Sequence, residues 1–200
     1  MSDPEGTQPR PLILASTSRY RAALLRRLGL EFVQSGASID ETAANEESPR
    51  QLATRLARQK SENVAIRYPD ATVIGSDQVA SADGTILGKP VTRMAAARQL
   101  AGCSGRNVHF FTAVCVSNPT PLGIQQYVDE TIVAFRKLSD GEIERYVERE
   151  PALDCAGSFK AEGLGITLFE EIATRDPTAL IGLPLIWVAR ALRESGYRLP

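Results

Sequence analysis

Residues 12–28 read LILASTSRYRAALLRRL, and the architecture turns on this stretch. Leu12 to Ala15 form a short apolar run suited to a buried strand. Ser16, Thr17 and Ser18 then offer N-cap hydroxyls, and a helix follows from about Arg19 to Leu28. Ala23, Leu24 and Leu28 are predicted to face inward, with Gly29 as the stop. A strand feeding directly into a helix is the opening of a layered α/β unit. The connection also leaves backbone N–H groups unpaired, and together with the helix dipole these favour an anion. Arg19 and Arg21 fall in the first turn, where their charge opposes the dipole. A bound phosphate would remove that conflict; two merely solvated arginines are the plainer alternative.

Outward from this stretch the alternation continues. Leu30 to Val33 suits a strand, and Ser48, Pro49 and Gln51 give a capped helix start with a capping box. Leu52, Leu56, Lys60 and Val64 then share one helical stripe. Thr72 to Ser76 reads as a strand, and Asp83-Gly84 as a hairpin turn before Thr85 to Leu87. Thr92 opens a helix that Gly102 ends, and 107–116 and 125–136 suit two long strands. Ser139 to Glu142 is a second capping box, ahead of a helix carrying Ile143, Tyr146 and Val147. Residues 156–172 are expected to form two short strands joined by a bend at Gly163 and Gly165. Pro184 is placed in the first turn of a last helix ending at Gly196. The expectation is one α/β domain over 12–200, a mixed sheet with flanking helices, behind a disordered polar tail at 1–11 that lacks the apolar stretch of a signal peptide.

Composition narrows the function. The 200 residues carry a net charge of −1, so no global basic field exists to hold a nucleic-acid polymer. The most apolar late run, Leu180 to Leu192, is interrupted by Pro184 and Arg190 and is too short to span a bilayer. Cys103, Cys115 and Cys155 are odd in number and widely spaced, which suits free thiols in a reducing cytoplasm. His109 is the only histidine, sits in an alternating strand, and is read as structural.

Four further features carry candidate chemistry. Lys60 starts on an apolar stripe, so its ammonium either snorkels to solvent or meets phosphate oxygens at a cleft. Asp77 ends an apolar strand, a poor place for an acid unless it holds a proton or a metal. A two-residue hairpin at Asp83-Gly84 puts Gln78 opposite Lys89 and Asp77 opposite Pro90, making the three neighbours; a hairpin-end salt bridge is the plain alternative. Asp40-Glu41 lies in a loop, either solvated or sharing a divalent metal with Asp77. Lys160 and Glu162 would share a face if their segment is extended.

Seven segments in order, Leu14 to Ser18, Asp40 to Thr42, Lys60, Ile74 to Gln78, Gly88 to Pro90, Ala156 to Phe159 and Gly182 to Leu185, resemble the Maf family of nucleoside triphosphate pyrophosphatases. Within it, the chain is most similar to the YceF-like subgroup that acts on 7-methyl-GTP. The resemblance covers about 12–196 and implies a mixed α/β fold with a cleft between two lobes, a divalent metal cofactor (Mg2+, Mn2+ or Co2+) and often a homodimer. It implies Asp77 as the proton acceptor, with Ser16, Arg21, Glu41, Lys60 and Lys89 as the rest of the phosphate and metal site. Positions that set base preference fall on Tyr20, Gln78 and Glu162. The chain departs from the family where Arg19 replaces a usual proline and Ala22 a frequent arginine.

Methylation at N7 gives guanine a positive charge, which an aromatic ring at Tyr20 and a carboxylate at Glu162 would both favour. The resulting expectation is a cytoplasmic enzyme that cuts a small nucleotide between its α- and β-phosphates. The alternatives are the same reaction on dTTP or UTP, or a non-enzymatic role in septum formation during cell division.

Overall fold

A computed structural model describes residues 9–119 and 123–200. Residues 1–8 of the predicted tail lie outside the described residues. At its end Arg10 and Pro11 are held: the Tyr197 hydroxyl donates to both carbonyls, and Thr72 N–H donates to that of Pro11.

Seven strands and five helices are described: β1 (Leu12–Leu14), α1 (Arg19–Arg26), β2 (Val33–Gln34), α2 (Pro49–Ala65), β3 (Thr72–Ala82), β4 (Thr85–Leu87), α3 (Arg93–Cys103), β5 (Asn107–Ser117), β6 (Ile124–Phe135), α4 (Asp140–Arg149), β7 (Phe169–Ala173) and α5 (Leu185–Glu194). They build a mixed α/β fold around one sheet of order β2-β1-β3-β5-β6-β7, with β4 also paired to β3. β2 and β3 run parallel to β1, while β3 to β7 pair antiparallel through β5 and β6.

Both faces of the sheet are covered, and side chains alternate between them. Leu12, Leu14, Ile74, Val114 and Val116 pack with α1 and α5, whereas Ile13 and Val73 on the other face pack with Val64 of α2. A separate cluster joins Ala80, Val108, Phe110 and Val133 to α3 and α4. Two lobes thus share one sheet.

The cleft arises from strand lengths. β5 follows β3 along one whole edge, from Val73 to Ala82. On the other edge β1 pairs only as far as Ile74 and β4 only from Ala80. Between those limits the edge of β3 is open, and this gap carries Ser76, Asp77 and Gln78.

Local chemistry explains why the elements begin where they do. Ser18 caps α1 by accepting from Arg21 N–H, and both predicted capping boxes form, Ser48 with Gln51 and Ser139 with Glu142. Four expectations need correction. The strand expected over Leu30 to Val33 covers only Val33–Gln34. Ala23 is exposed, and Ala22, Leu24 and Leu25 are the buried residues of α1. β3 does not stop at Ser76 but runs six residues further, through Asp77. Residues 156–162 are not a strand: 3-10 turns occupy Ala156–Ser158 and Leu164–Leu168, and only Phe169–Ala173 is extended. The cause is local, since Gly157 (φ 78°) and Ser158 (φ 65°) both take left-handed backbone.

Candidate active site

Gly75 determines how the first site residues meet. A Cβ there would run into the Ala57 carbonyl and lie 2.6 Å from Ser61 N, so only glycine lets α2 lie against β3 at this point. Ser61 fixes the contact by donating to the Val73 carbonyl at 3.0 Å. One residue before Ser61, Lys60 is carried inward with Leu56 and Val64 and is 9% exposed. Its ammonium does not snorkel to solvent. Lys60 Nζ lies 2.6 Å from Asp77 Oδ1 and 2.7 Å from Glu41 Oε1. The Lys60 hydrogen bond holds the Glu41 carboxyl below its ordinary range, with the burial of Glu41 opposing. Asp40 points elsewhere, accepting from Thr42 N–H at 2.9 Å.

The β1–α1 connection faces this group across the gap. Arg21 donates from Nε to the Gly182 carbonyl at 3.0 Å and from a terminal nitrogen to Ser16 Oγ at 3.3 Å. Gly182 takes φ 128°, a backbone state closed to most side chains, and so presents its carbonyl to both Arg21 and Ser76 Oγ. Burial pushes the Arg21 guanidinium below its ordinary pKa while Asp77 and Glu41 draw it back; a guanidinium stays charged regardless. Lys89 follows β4 on the far side of the gap, exposed at the rim. β4 stops at Leu87, yet its register with β3 is that of the expected two-residue hairpin.

These residues line one open cleft that holds Ser16, Arg21, Glu41, Lys60, Asp77 and Lys89 together. It adjoins a second hollow lined by Tyr20, Gln78, Lys160, Glu162, Phe110 and Phe159 among others. Tyr20, Arg21, Gln78, Lys89 and Asp154 border both. Every predicted site residue therefore lies along one cleft with a cationic end and an end walled in part by Tyr20, Phe110 and Phe159. Lys160 and Glu162 share the second hollow although their segment is a turn and not a strand.

The Gln78 amide nitrogen is committed to the protein, donating to Thr112 Oγ1 and to the Ala179 and Leu180 carbonyls at 2.9 to 3.1 Å. What it can offer a ligand is its carbonyl oxygen. Tyr20 is tied by its hydroxyl to Asp154 Oδ2 at 3.3 Å. Burial pushes the Cys155 thiol up to about 11, so this cysteine is a neutral wall of the hollow and not a nucleophile. His109 lies outside the cleft lining, 2.9 Å from Glu130 Oε1 and stacked on Phe111.

Sequence reading missed Asp154, Phe110 and the carbonyls of 179–182. Asp154 had one available signal, its place two residues ahead of the Ala156-Gly157-Ser158-Phe159 motif. The carbonyls had none, because backbone acceptors carry no residue signature.

Comparison with known proteins follows this geometry. Residues 11–195 match the family described as Maf-like protein. The chain belongs to the Maf family. This Maf-family chain is 56% identical over 189 residues to a protein named 7-methyl-GTP pyrophosphatase from Xanthomonas oryzae pv. oryzae (strain MAFF 311018), covering 94% of this chain and 98% of the relative. It is 57% identical, with the same coverage, to a protein of that name from Xanthomonas campestris pv. campestris (strain 8004). A solved structure, protein VC0702 from Vibrio cholerae, aligns with a TM-score of 0.43 at 15% identity, covering 96% of this chain and 100% of that one. No helix among the described residues of the Maf-family chain is long and apolar enough to cross a membrane.

Proposed function

We propose that this chain is a nucleoside triphosphate pyrophosphatase that hydrolyses 7-methyl-GTP to 7-methyl-GMP and pyrophosphate. The observation that carries the reading is the two-part cleft: four cations (Arg19, Arg21, Lys60 and Lys89) and three acids (Glu41, Asp77 and Asp154) line one compartment, which opens onto a second lined by Tyr20, Phe110, Phe159 and Glu162. The two relatives named 7-methyl-GTP pyrophosphatase support the same substrate.

The triphosphate lies along Ser16, Arg21, Lys60 and Lys89, with the N-terminus of α1 adding backbone donors. Water attacks the α-phosphorus, the bond from that phosphorus to the bridging oxygen breaks, and pyrophosphate leaves with the bond's electrons. Asp77 accepts the proton released from the attacking water. One Asp77 oxygen is held by Lys60, so the carboxylate is fixed in orientation while the other oxygen remains for the proton. Arg21, Lys60 and Lys89 neutralise charge growing on the leaving group. The base enters between Tyr20 and the Gln78 carbonyl, and Glu162 accepts hydrogen bonds from its edge.

Glu41 and Asp77 would also hold a divalent cation, magnesium, manganese or cobalt. They fit that task because both already converge on a single positive charge, and a magnesium-type ion needs only one or two carboxylates when phosphate oxygens complete its shell. Once bound, such an ion supplies Lewis-acid polarisation of the phosphate. The same reading places the enzyme in the cytoplasm and makes it a homodimer, the latter checked by light scattering of the purified protein.

The test is product analysis on 7-methyl-GTP, GTP, UTP and dTTP, with magnesium or with excess chelator. The expected result is pyrophosphate and monophosphate, the highest kcat/KM on 7-methyl-GTP, and no turnover with chelator. Release of orthophosphate, or equal rates on all four, would overturn the reading.

A further inference from the structure

Between the two compartments the Tyr20 ring stands with an ion pair, Arg19 and Asp154, that the account above does not use. The Arg19 guanidinium lies over the Tyr20 ring, 4.8 Å from its centroid, and donates to the Tyr20 hydroxyl at 2.8 Å. It also pairs with Asp154 at 3.6 Å, while the Tyr20 hydroxyl donates to the same Asp154 oxygen. Arg19 borders only the phosphate compartment, whereas Asp154 and Tyr20 border both. The three join the start of α1 to the loop after α4, 134 residues apart in the chain.

A cation over Tyr20 and against Asp154 occupies the interactions that a cationic base would seek. The charge balance of the base compartment points the same way. Lys160 lines it beside Glu162, and Arg21 and Lys89 reach it from the phosphate side, so Glu162 alone leaves that hollow without excess negative charge. Asp154 is the second carboxylate there, but at rest its charge is answered by Arg19. A triphosphate in the neighbouring compartment gives Arg19 a stronger partner than a half-exposed carboxylate.

Resting on the function proposed above, we propose that Asp154 is a specificity-determining residue for a positively charged purine. Arg19 is its resting counter-ion and the internal competitor that the substrate displaces. The N7-methylated ring displaces Arg19 from Asp154 towards the triphosphate and takes its place against the carboxylate, whereas beneath a neutral guanine the Arg19–Asp154 pair stays closed. A neutral guanine gains nothing from that carboxylate.

The test compares kcat/KM for 7-methyl-GTP and GTP in the wild type, Asp154→Asn and Arg19→Ala, taking the ratio within each protein. The Asn side chain keeps an acceptor for Tyr20, so the exchange removes charge with little change of shape. The expected ratio falls about three- to tenfold in Asp154→Asn and rises about two- to fivefold in Arg19→Ala. Opposite signs are the signature, because mere loosening of a clasp would move both variants the same way. An unchanged ratio in Asp154→Asn, or a shift of the same sign in both, overturns the role of Asp154 while leaving the pyrophosphatase reading standing. A wild type with no preference between the two nucleotides overturns the substrate reading and this inference together.

Discussion

The two compartments of the cleft are built by different means. The phosphate compartment takes its side chains from regular elements: Lys60 from the middle of α2, Asp77 from within β3, Arg21 from the first turn of α1. Its groups are mutually paired, with Lys60 between two carboxylates and Arg21 pinned on the Gly182 carbonyl. The base compartment is walled largely by turns, the 3-10 segments at Ala156–Ser158 and Ala179–Ile181 and the bend carrying Lys160 and Glu162. Helices and strands hold a side chain to a tighter tolerance than loops do. The difference teaches where each property resides: a reaction common to all nucleotides needs fixed charges, whereas a choice among bases can be set on a replaceable wall.

The sharpest way to break this comparison is at Asp77. Asp77→Asn keeps an acceptor for Lys60 but cannot take a proton, and should lower kcat about a thousandfold on every nucleotide, with an unchanged circular dichroism spectrum. A loss confined to 7-methyl-GTP would mean that the two compartments are not separable. Next in size is Gly75→Ala, which forces α2 away from β3. Urea unfolding should show about 2–3 kcal/mol of lost stability, accompanied by loss of turnover as Lys60 is displaced from Asp77. A stable and active Gly75→Ala protein would contradict the packing argument.

On the other side of the comparison, Glu162→Gln should reduce the 7-methyl-GTP over GTP ratio about three- to tenfold, read from steady-state kinetics, because it removes one negative charge near the base. The smallest effect concerns α4, whose Tyr146 hydroxyl accepts from Lys160 N–H and so props up the base wall. Backbone and side-chain hydrogen bonds from Ser139, with Arg136 beside them, hold the Glu142 carboxyl down to about 2. Since that folded value is depressed, its stabilising contribution is present above about pH 4.5 and is lost as pH falls towards 2. Glu142→Gln should therefore be slightly less stable than the wild type at pH 6, and the gap should close by pH 2, as measured by denaturant titration.

How much of this was readable from the chain follows the range of the interactions involved. Capping boxes and the Asp83-Gly84 turn are decided within four residues, and each formed where the sequence placed it. Lys60 was visible as a cation on an apolar stripe, although its burial required knowing that Gly75 would admit the helix so closely. The continuation of β3 through Asp77 was hidden for the same reason, since an acid interrupts a strand on paper but not when an ammonium from α2 answers it. Residues 156–162 failed as a strand because Phe159 is recruited into an aromatic cluster with Phe110, Phe135 and Phe169, over a backbone turned by Gly157 and Ser158. That cluster gathers residues from β5, β6 and β7 and has no local signature. The contact between Tyr20 and Asp154 spans the chain and was equally silent.

The measurement that bears most directly on the account is the position of a solvent oxygen after turnover. Hydrolysis of 7-methyl-GTP in water enriched in oxygen-18 should place the label in the nucleoside monophosphate, because the water poised at Asp77 attacks the α-phosphorus. Label recovered in pyrophosphate would mean attack at the β-phosphorus, and the arrangement of cations, acids and base wall along one groove would then have been read in the wrong register.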